Sequence, residues 1–296
     1  MSKLTGLIAA THTPFDTAGD LCLAAVEKQA AHLLGQGVNT VFIAGTTGES
    51  HSLTLEERLS LAQRWTEVAK GTAMKIVVHV GSNCLVDAQA LARQAQALGA
   101  HAISALSPSY FKPRTVEALV SCCEQIALAA SQLPFYFYDI PVLTGVTLPM
   151  IDFLEVASRR MPNLAGIKFT NPDLMAYQQC LRKNNSQFDV PWGVDEYLLA
   201  ALAFGATGAV GSSYNFAAPI YLKLIAAFEK GDLATARDLQ YGSVQLISLL
   251  SRYGYMAAAK AYMEMLGVPV GPPRLPHAAL SAEQRASLQK GLTEIR

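Results

Sequence analysis

The feature that most constrains the fold is an alternation repeated along the chain: eight short runs of β-forming residues, separated by stretches of helical length. The runs fall at residues 6–11, 40–44, 75–80, 102–106, 135–139, 165–168, 188–192 and 208–211. Amphipathic helical patterns lie between them, for example at 55–70 and 87–98. The first of these opens with Thr54 and has Glu57 three residues on, a capping box. Eight strands, each followed by a helix, argue for parallel pairing through right-handed crossovers. Such a sheet is either open and doubly wound or closed into a barrel. A doubly wound dinucleotide fold shows G-x-G-x-x-G after an early strand, and none stands there. Eight repeats fit closure, so the expected fold is an α/β (β/α)8 TIM barrel with additional C-terminal helices. Helical patterns at 221–230, 233–252, 256–266 and 282–292 follow the last strand. With no Pro- or Ser-rich linker, the expectation is a single domain over 1–296. The barrel covers about 1–230 and the helical extension about 231–296.

Hydrophobic residues make up 51% of the chain, enough for a large core, and Lys plus Arg balance Asp plus Glu at 23 each. That neutrality gives no footing for nucleic acid or anionic lipid. Residues 197–222 carry no Asp, Glu, Lys or Arg, but Gly205, Gly208, Gly211, Ser212, Ser213, Asn215 and Pro219 interrupt them. A helix, a strand and a polar loop account for the stretch better than a membrane span does. Residues 1–6 lack the apolar core of a secretory signal. Five cysteines, odd in number and without C-x-x-C spacing, argue against a disulfide framework or a zinc site. A cytoplasmic setting is therefore expected.

In a barrel, chemistry gathers where strands end and βα-loops begin. Lys75 begins a strand and belongs to the opposite end. Lys168 closes the run Leu164-Ala165-Gly166-Ile167-Lys168 at the catalytic end. Flanked by Ile167 and Phe169, it reads either as a desolvated amine ready to attack a carbonyl or as a buried lysine paired with a carboxylate. In Phe135-Tyr136-Phe137-Tyr138-Asp139, alternation puts Tyr136 and Tyr138 on one face, with Tyr138 last. Its phenol is placed for proton transfer beside the lysine, although aromatics also simply fill barrels. The loop Gly45-Thr46-Thr47-Gly48-Glu49-Ser50 offers two hydroxyls and their N–H groups to a carboxylate, and lacks the Gly-Lys-Ser/Thr ending of a phosphate loop. Asp195 and Glu196, after the seventh run, suit either polyol hydroxyls or a helix start. Ser212 and Ser213 are equally two-sided. His12, His51 and His79 have no metal-ligand spacing and are read as structural, with no metal site. Cys122 and Cys123 lie in a helix and are assigned to the core.

Five segments together resemble the dihydrodipicolinate synthase / N-acetylneuraminate lyase superfamily over nearly the whole chain. They are Gly45-Thr46-Thr47-Gly48-Glu49, Ser107-Pro108-Ser109-Tyr110, Tyr138-Asp139-Ile140-Pro141, Gly166-Ile167-Lys168 and the run from Gly205 to Ser212. The resemblance implies a homotetrameric class I aldolase in which Lys168 forms an imine with a 2-oxo acid and no cofactor is needed. Thr46 and Thr47 would bind the carboxylate, Tyr138 would relay the proton, and Tyr110 would support a neighbouring subunit's site.

Leu143-Thr144-Gly145, Gly193-Val194-Asp195-Glu196, the run from Gly211 to Asn215 and Gly271-Pro272-Pro273-Arg274-Leu275-Pro276 are similar to the lyase branch, its animal-like form in particular. That implies cleavage of N-acetylneuraminate to pyruvate and N-acetylmannosamine, with Thr170, Gly193, Asp195, Glu196 and Ser212 gripping the sugar. The synthase branch carries an arginine shortly after the Ile/Val-Pro, where this chain has Val142-Leu143-Thr144, so a second carboxylate lacks its partner. Asp139 departs from the His or Asn usual after the tyrosine, and alternation turns it away from Tyr138. The partners implied are a sugar acid and pyruvate, with no nucleic acid and no membrane. The competing readings are an aldolase for another 2-oxo-3-deoxy acid, a synthase-like condensation, and a non-catalytic barrel that binds 2-oxo acids.

Overall fold

The computed structural model describes residues 3–295. Met1 and Ser2, part of the segment read as lacking a signal, and Arg296, the end of the expected domain, lie outside the described residues. Seven strands form: β1 (Gly6–Ala10), β2 (Thr40–Ile43), β3 (Lys75–His79), β4 (Ala102–Leu106), β5 (Phe135–Asp139), β6 (Leu164–Phe169) and β7 (Gly208–Gly211). All pairings are parallel, in the order β6-β5-β4-β3-β2-β1-β7. The helices are α1 (Ala25–Gly35), α2 (Leu55–Ala69), α3 (Leu85–Ala97), α4 (Val116–Leu128), the single turn α5 (Pro141–Thr144), α6 (Met150–Arg160), α7 (Leu174–Arg182), α8 (Leu198–Phe204), α9 (Tyr214–Glu229), α10 (Leu233–Arg252), α11 (Tyr255–Met265) and α12 (Ala282–Glu294).

The expected strand at 188–192 is present as an irregular stave that closes the barrel between β6 and β7. Ile167 donates its N–H to Asp189 O at 3.0 Å and Phe169 to Pro191 O at 2.9 Å. On the other side Trp192 donates to Gly208 O at 3.0 Å and Val210 to Trp192 O at 2.7 Å. Pro191 has no N–H to offer, and the pairing there reduces to single bridges. The remaining seven strands keep the expected order and direction.

Strand alternation separates two apolar layers. Ile8, Ala10, Phe42, Val77, Leu106, Tyr136, Tyr138, Ala165 and Val210 fill the barrel interior. Their neighbours in sequence, such as Ala9, Val41, Val78, Phe137, Ile167 and Phe169, pack outward under the helices. Lys168, between Ile167 and Phe169, therefore points inward. Lys75 begins β3 with an exposed side chain at the opposite end, as expected. The capping box of α2 forms, with Thr54 accepting from Glu57 N and Glu57 accepting from Thr54 N.

Residues 197–222 resolve into a turn, α8, β7 and the first part of α9. Among the described residues no helix is long and apolar enough to cross a membrane. Cys123 is buried, whereas Cys122 is only half-buried, so half of that pair belongs to the core.

Candidate active site

A cavity of about 560 Å³ opens at the carboxyl ends of the strands. Nine of the residues singled out from sequence line it: Thr46 and Thr47 after β2, Tyr138 on β5, Lys168 and Thr170 at β6, Gly193, Asp195 and Glu196 after the irregular stave, and Ser212 after β7. Tyr110 is not brought there. Its ring is 80% exposed, packs edge-to-face on Phe111 at 5.0 Å, and lines a separate cleft with Lys112 and Arg114.

The Lys168 amine is buried, 3.7 Å from the Tyr138 ring centroid and 4.0 Å from that of Phe42. Burial pulls its pKa down from 10.5 to about 7, and the nearby Asp195 carboxylate opposes the fall. The source of the desolvation differs from the expected one. Ile167 and Phe169 face the outer layer, so the inward rings of Phe42 and Tyr138 exclude the water.

The Tyr138 hydroxyl shares a 3.1 Å hydrogen bond with Thr46 Oγ1, which links the two groups across the cavity floor. Burial pushes the phenol up to about 12, so it is neutral at physiological pH and has a proton to pass on. The ring also stands edge-on to His79. His79 is buried, within 2.9 Å of Ala44 O through Nδ1, and Arg58 donates to its carbonyl at 2.8 Å. Burial holds His79 well below its usual range, and it supports the tyrosine as a neutral ring. His12 is likewise buried and held at about 3. Among the described residues no three His, Cys, Asp or Glu side chains gather as a metal-binding group.

Asp195 and Glu196 form the first turn of a short 3-10 helix that leads into α8, so both stand at a helix start, although neither side chain caps it. Asp195 is buried. Its Oδ2 accepts the Ser213 N–H at 2.9 Å and the Ser213 hydroxyl, and burial lifts its pKa to about 7. Any Cβ on Gly211 would strike that carboxylate, and one on Gly193 would strike Thr170 Oγ1. The two glycines are what let these polar groups approach the backbone. Thr170 Oγ1 is buried near the Tyr138 phenol, with no hydrogen bond of good geometry among the described residues, which leaves a hydroxyl available to a ligand. Ser213 turns into the core, hydrogen-bonded to Tyr221 at 2.7 Å, and only Ser212 of the pair lines the cavity.

Three lining residues come from the helices after the barrel: Ile247 and Ser251 on α10, and Tyr255 at the start of α11. Tyr255 OH meets Ser212 Oγ at 2.7 Å. These residues were missed by sequence reasoning. Their placement depends on how the helices pack, and no local pattern marks them. Asp139 faces away from Tyr138, as alternation requires. It is buried behind the strand, accepts from Asn171 Nδ2 at 3.1 Å and is lifted to about 6.

A desolvated amine beside a neutral phenol, in a cavity lined by both hydroxyls and carboxylates, is an arrangement that can support addition to a carbonyl. Comparison with known proteins gives the family. The dihydrodipicolinate synthetase family model matches residues 3–295, and the chain belongs to that family. N-acetylneuraminate lyase of Danio rerio is 41% identical over 280 residues, 93% of this chain and 91% of that protein. The solved N-acetylneuraminate lyase (sialic acid aldolase) of Aliivibrio salmonicida is 43% identical with a TM-score of 0.97, over 100% of this chain and 98% of that one. The Proteus mirabilis N-acetylneuraminate lyase is 39% identical with a TM-score of 0.97, over 100% and 99% of the two chains.

Proposed function

We propose that this chain is a carbon–carbon lyase that cleaves N-acetylneuraminate to pyruvate and N-acetylmannosamine through an imine on Lys168. The observation that carries the reading is the buried Lys168 amine with its pKa brought to about 7. About half of it is then the free base near neutral pH, where an exposed lysine would be almost wholly protonated. The free amine adds to C2 of the open-chain substrate, the carbinolamine takes up a proton from solvent and loses water, and a protonated imine results. Tyr138 accepts the C4 hydroxyl proton as it passes its own to the substrate carboxylate, held by Thr46 and Thr47. The C3–C4 bond breaks, its electron pair moves into the C2–C3 bond of an enamine, and C4 leaves as the aldehyde of N-acetylmannosamine. Protonation at C3 and hydrolysis release pyruvate and restore Lys168. The imine nitrogen is the electron sink, so the scheme calls for no metal or organic cofactor.

Thr170, Gly193, Asp195, Glu196 and Ser212 are assigned to the sugar and its glycerol tail. The segment after Pro141 supports a lyase over a synthase: Val142 lines the cavity and brings no cation for a second carboxylate. The quaternary reading is a homotetramer, with Tyr110 reaching a neighbouring subunit's site. Tyr110 and Phe111, exposed at 80% and 86%, form an aromatic pair suited to burial against another copy. One domain, a barrel with its helical extension, and a cytoplasmic location complete the proposal. Pyruvate release from N-acetylneuraminate tests it. Release that vanishes in Lys168→Ala is expected, and full activity in that variant would overturn the scheme.

A further inference from the structure

The turn that carries Thr46 and Thr47 is held at both ends in a backbone conformation that L side chains disfavour. Ala44 and Glu49 each have φ of 53°. Such residues persist only where their surroundings over-determine them. Around Glu49 the surroundings come from the far end of the chain. Its carboxylate meets Lys260 Nζ, on α11, at 2.7 Å, with both side chains at 1% exposure or less. The second oxygen accepts the Arg274 N–H at 2.8 Å. Lys260 also donates to Thr13 O at 2.9 Å and Pro272 O at 3.2 Å. The Arg274 side chain donates to Gly19 O at 2.9 Å, Ser52 O at 2.8 Å and Glu57 Oε2 at 2.7 Å. Both cations stand 4.3 Å from the Phe15 ring centroid. Within the turn, Glu49 N–H bonds Thr46 O at 3.0 Å, and Thr13 Oγ–H bonds Gly48 O at 2.6 Å.

A buried ion pair is a poor source of stability, because desolvation offsets most of its attraction. It is well suited to fixing one geometry. We propose that Glu49, Lys260 and Arg274 are positioning residues that hold the Thr46–Thr47 turn in its carboxylate-binding shape. The 271–276 segment then acts as a strap bolted to the active-site turn. The proposal rests on the reading of Thr46 and Thr47 as carboxylate binders.

The test measures the pyruvate concentration that half-saturates a borohydride-trapped adduct, in Arg274→Gln, Glu49→Gln and Thr47→Ala. Inhibition of cleavage by N-acetylmannosamine is measured alongside. Arg274→Gln leaves no fully buried charge without a partner, because Glu49 keeps Lys260 and Glu57 is partly exposed, so it folds even where Glu49→Gln does not. In Arg274→Gln the half-saturating pyruvate should rise about tenfold, the equivalent of weakening one hydrogen bond to a charged group. The adduct yield at saturating pyruvate and the inhibition by N-acetylmannosamine should stay at wild-type values. Equal weakening of both ligands, or of neither, overturns the positioning role. An unchanged pyruvate affinity in Thr47→Ala overturns the subsite reading itself. A loss there without a loss in Arg274→Gln overturns the strap alone.

Discussion

Replacing Lys168 by Met should abolish adduct formation and at the same time stabilise the fold. The fall of the Lys168 pKa from 10.5 to about 7 corresponds to about 5 kcal/mol lost by the folded state, at about 1.4 kcal/mol per tenfold change in proton affinity. Below pH 7 the lysine is charged folded and unfolded, and burial penalises the folded form in full. From about 7 to 10.5 the unfolded chain still binds a proton that the folded chain has shed. Stability therefore rises with pH across that window, and the penalty is gone above it. Methionine fills much the same space without charge. One loss offsets part of the gain: the contacts to the Phe42 and Tyr138 rings disappear, worth up to about 2 kcal/mol, whereas the attraction to Asp195 is already contained in the net shift. A net gain of about 3 kcal/mol should remain. Urea unfolding at matched subunit concentration, at about pH 6.5 and about pH 9.5, measures it. The methionine variant should be the more stable at the lower pH, and its advantage should shrink at the higher. A less stable variant, or an advantage equal at both, would refute the burial argument.

Three further outcomes follow from the site. Tyr138→Phe should slow cleavage by about 10²- to 10⁴-fold, as for a lost proton-transfer group, while pyruvate still traps on Lys168. Equal loss of both would make the tyrosine a packing residue. Asp139→Asn should leave cleavage unchanged. Because burial lifts Asp139 to about 6, its penalty is present above that pH and absent below 3.8. The variant should thus gain about 3 kcal/mol at neutral pH and nothing in acid unfolding; a gain independent of pH would contradict this. Tyr255→Phe should raise the KM for N-acetylneuraminate about fivefold through loss of one neutral hydrogen bond, without altering pyruvate trapping. A change in trapping would show that its reach extends beyond the far end of the cavity.

Much of this site was legible because two periodicities coincide. The βα repeat identifies strand ends, and alternation along each strand says which side chains face in. Lys168, Tyr138 and the Thr46–Thr47 turn follow from those rules with the family resemblance. Pro191 stood in the sequence, but its effect on the seventh strand depends on both neighbours bonding to an interrupted ladder. The desolvation of Lys168 was assigned to its chain neighbours, which face the other way. Phe42 supplies it from β2, four pairings away. Ile247, Ser251 and Tyr255 were invisible because a helix read as packing on the barrel gives no sign of which turn overhangs the cavity. Helix α9 ends at Glu229, and the lining of the cavity runs past it onto α10 and α11.

The most direct measurement is borohydride reduction in the presence of N-acetylneuraminate, followed by peptide mass analysis. The account predicts inactivation together with a reduced adduct confined to the peptide that contains Lys168, absent when no substrate is added. Turnover of the sugar acid with no adduct on Lys168, or an adduct on a different lysine, would contradict it.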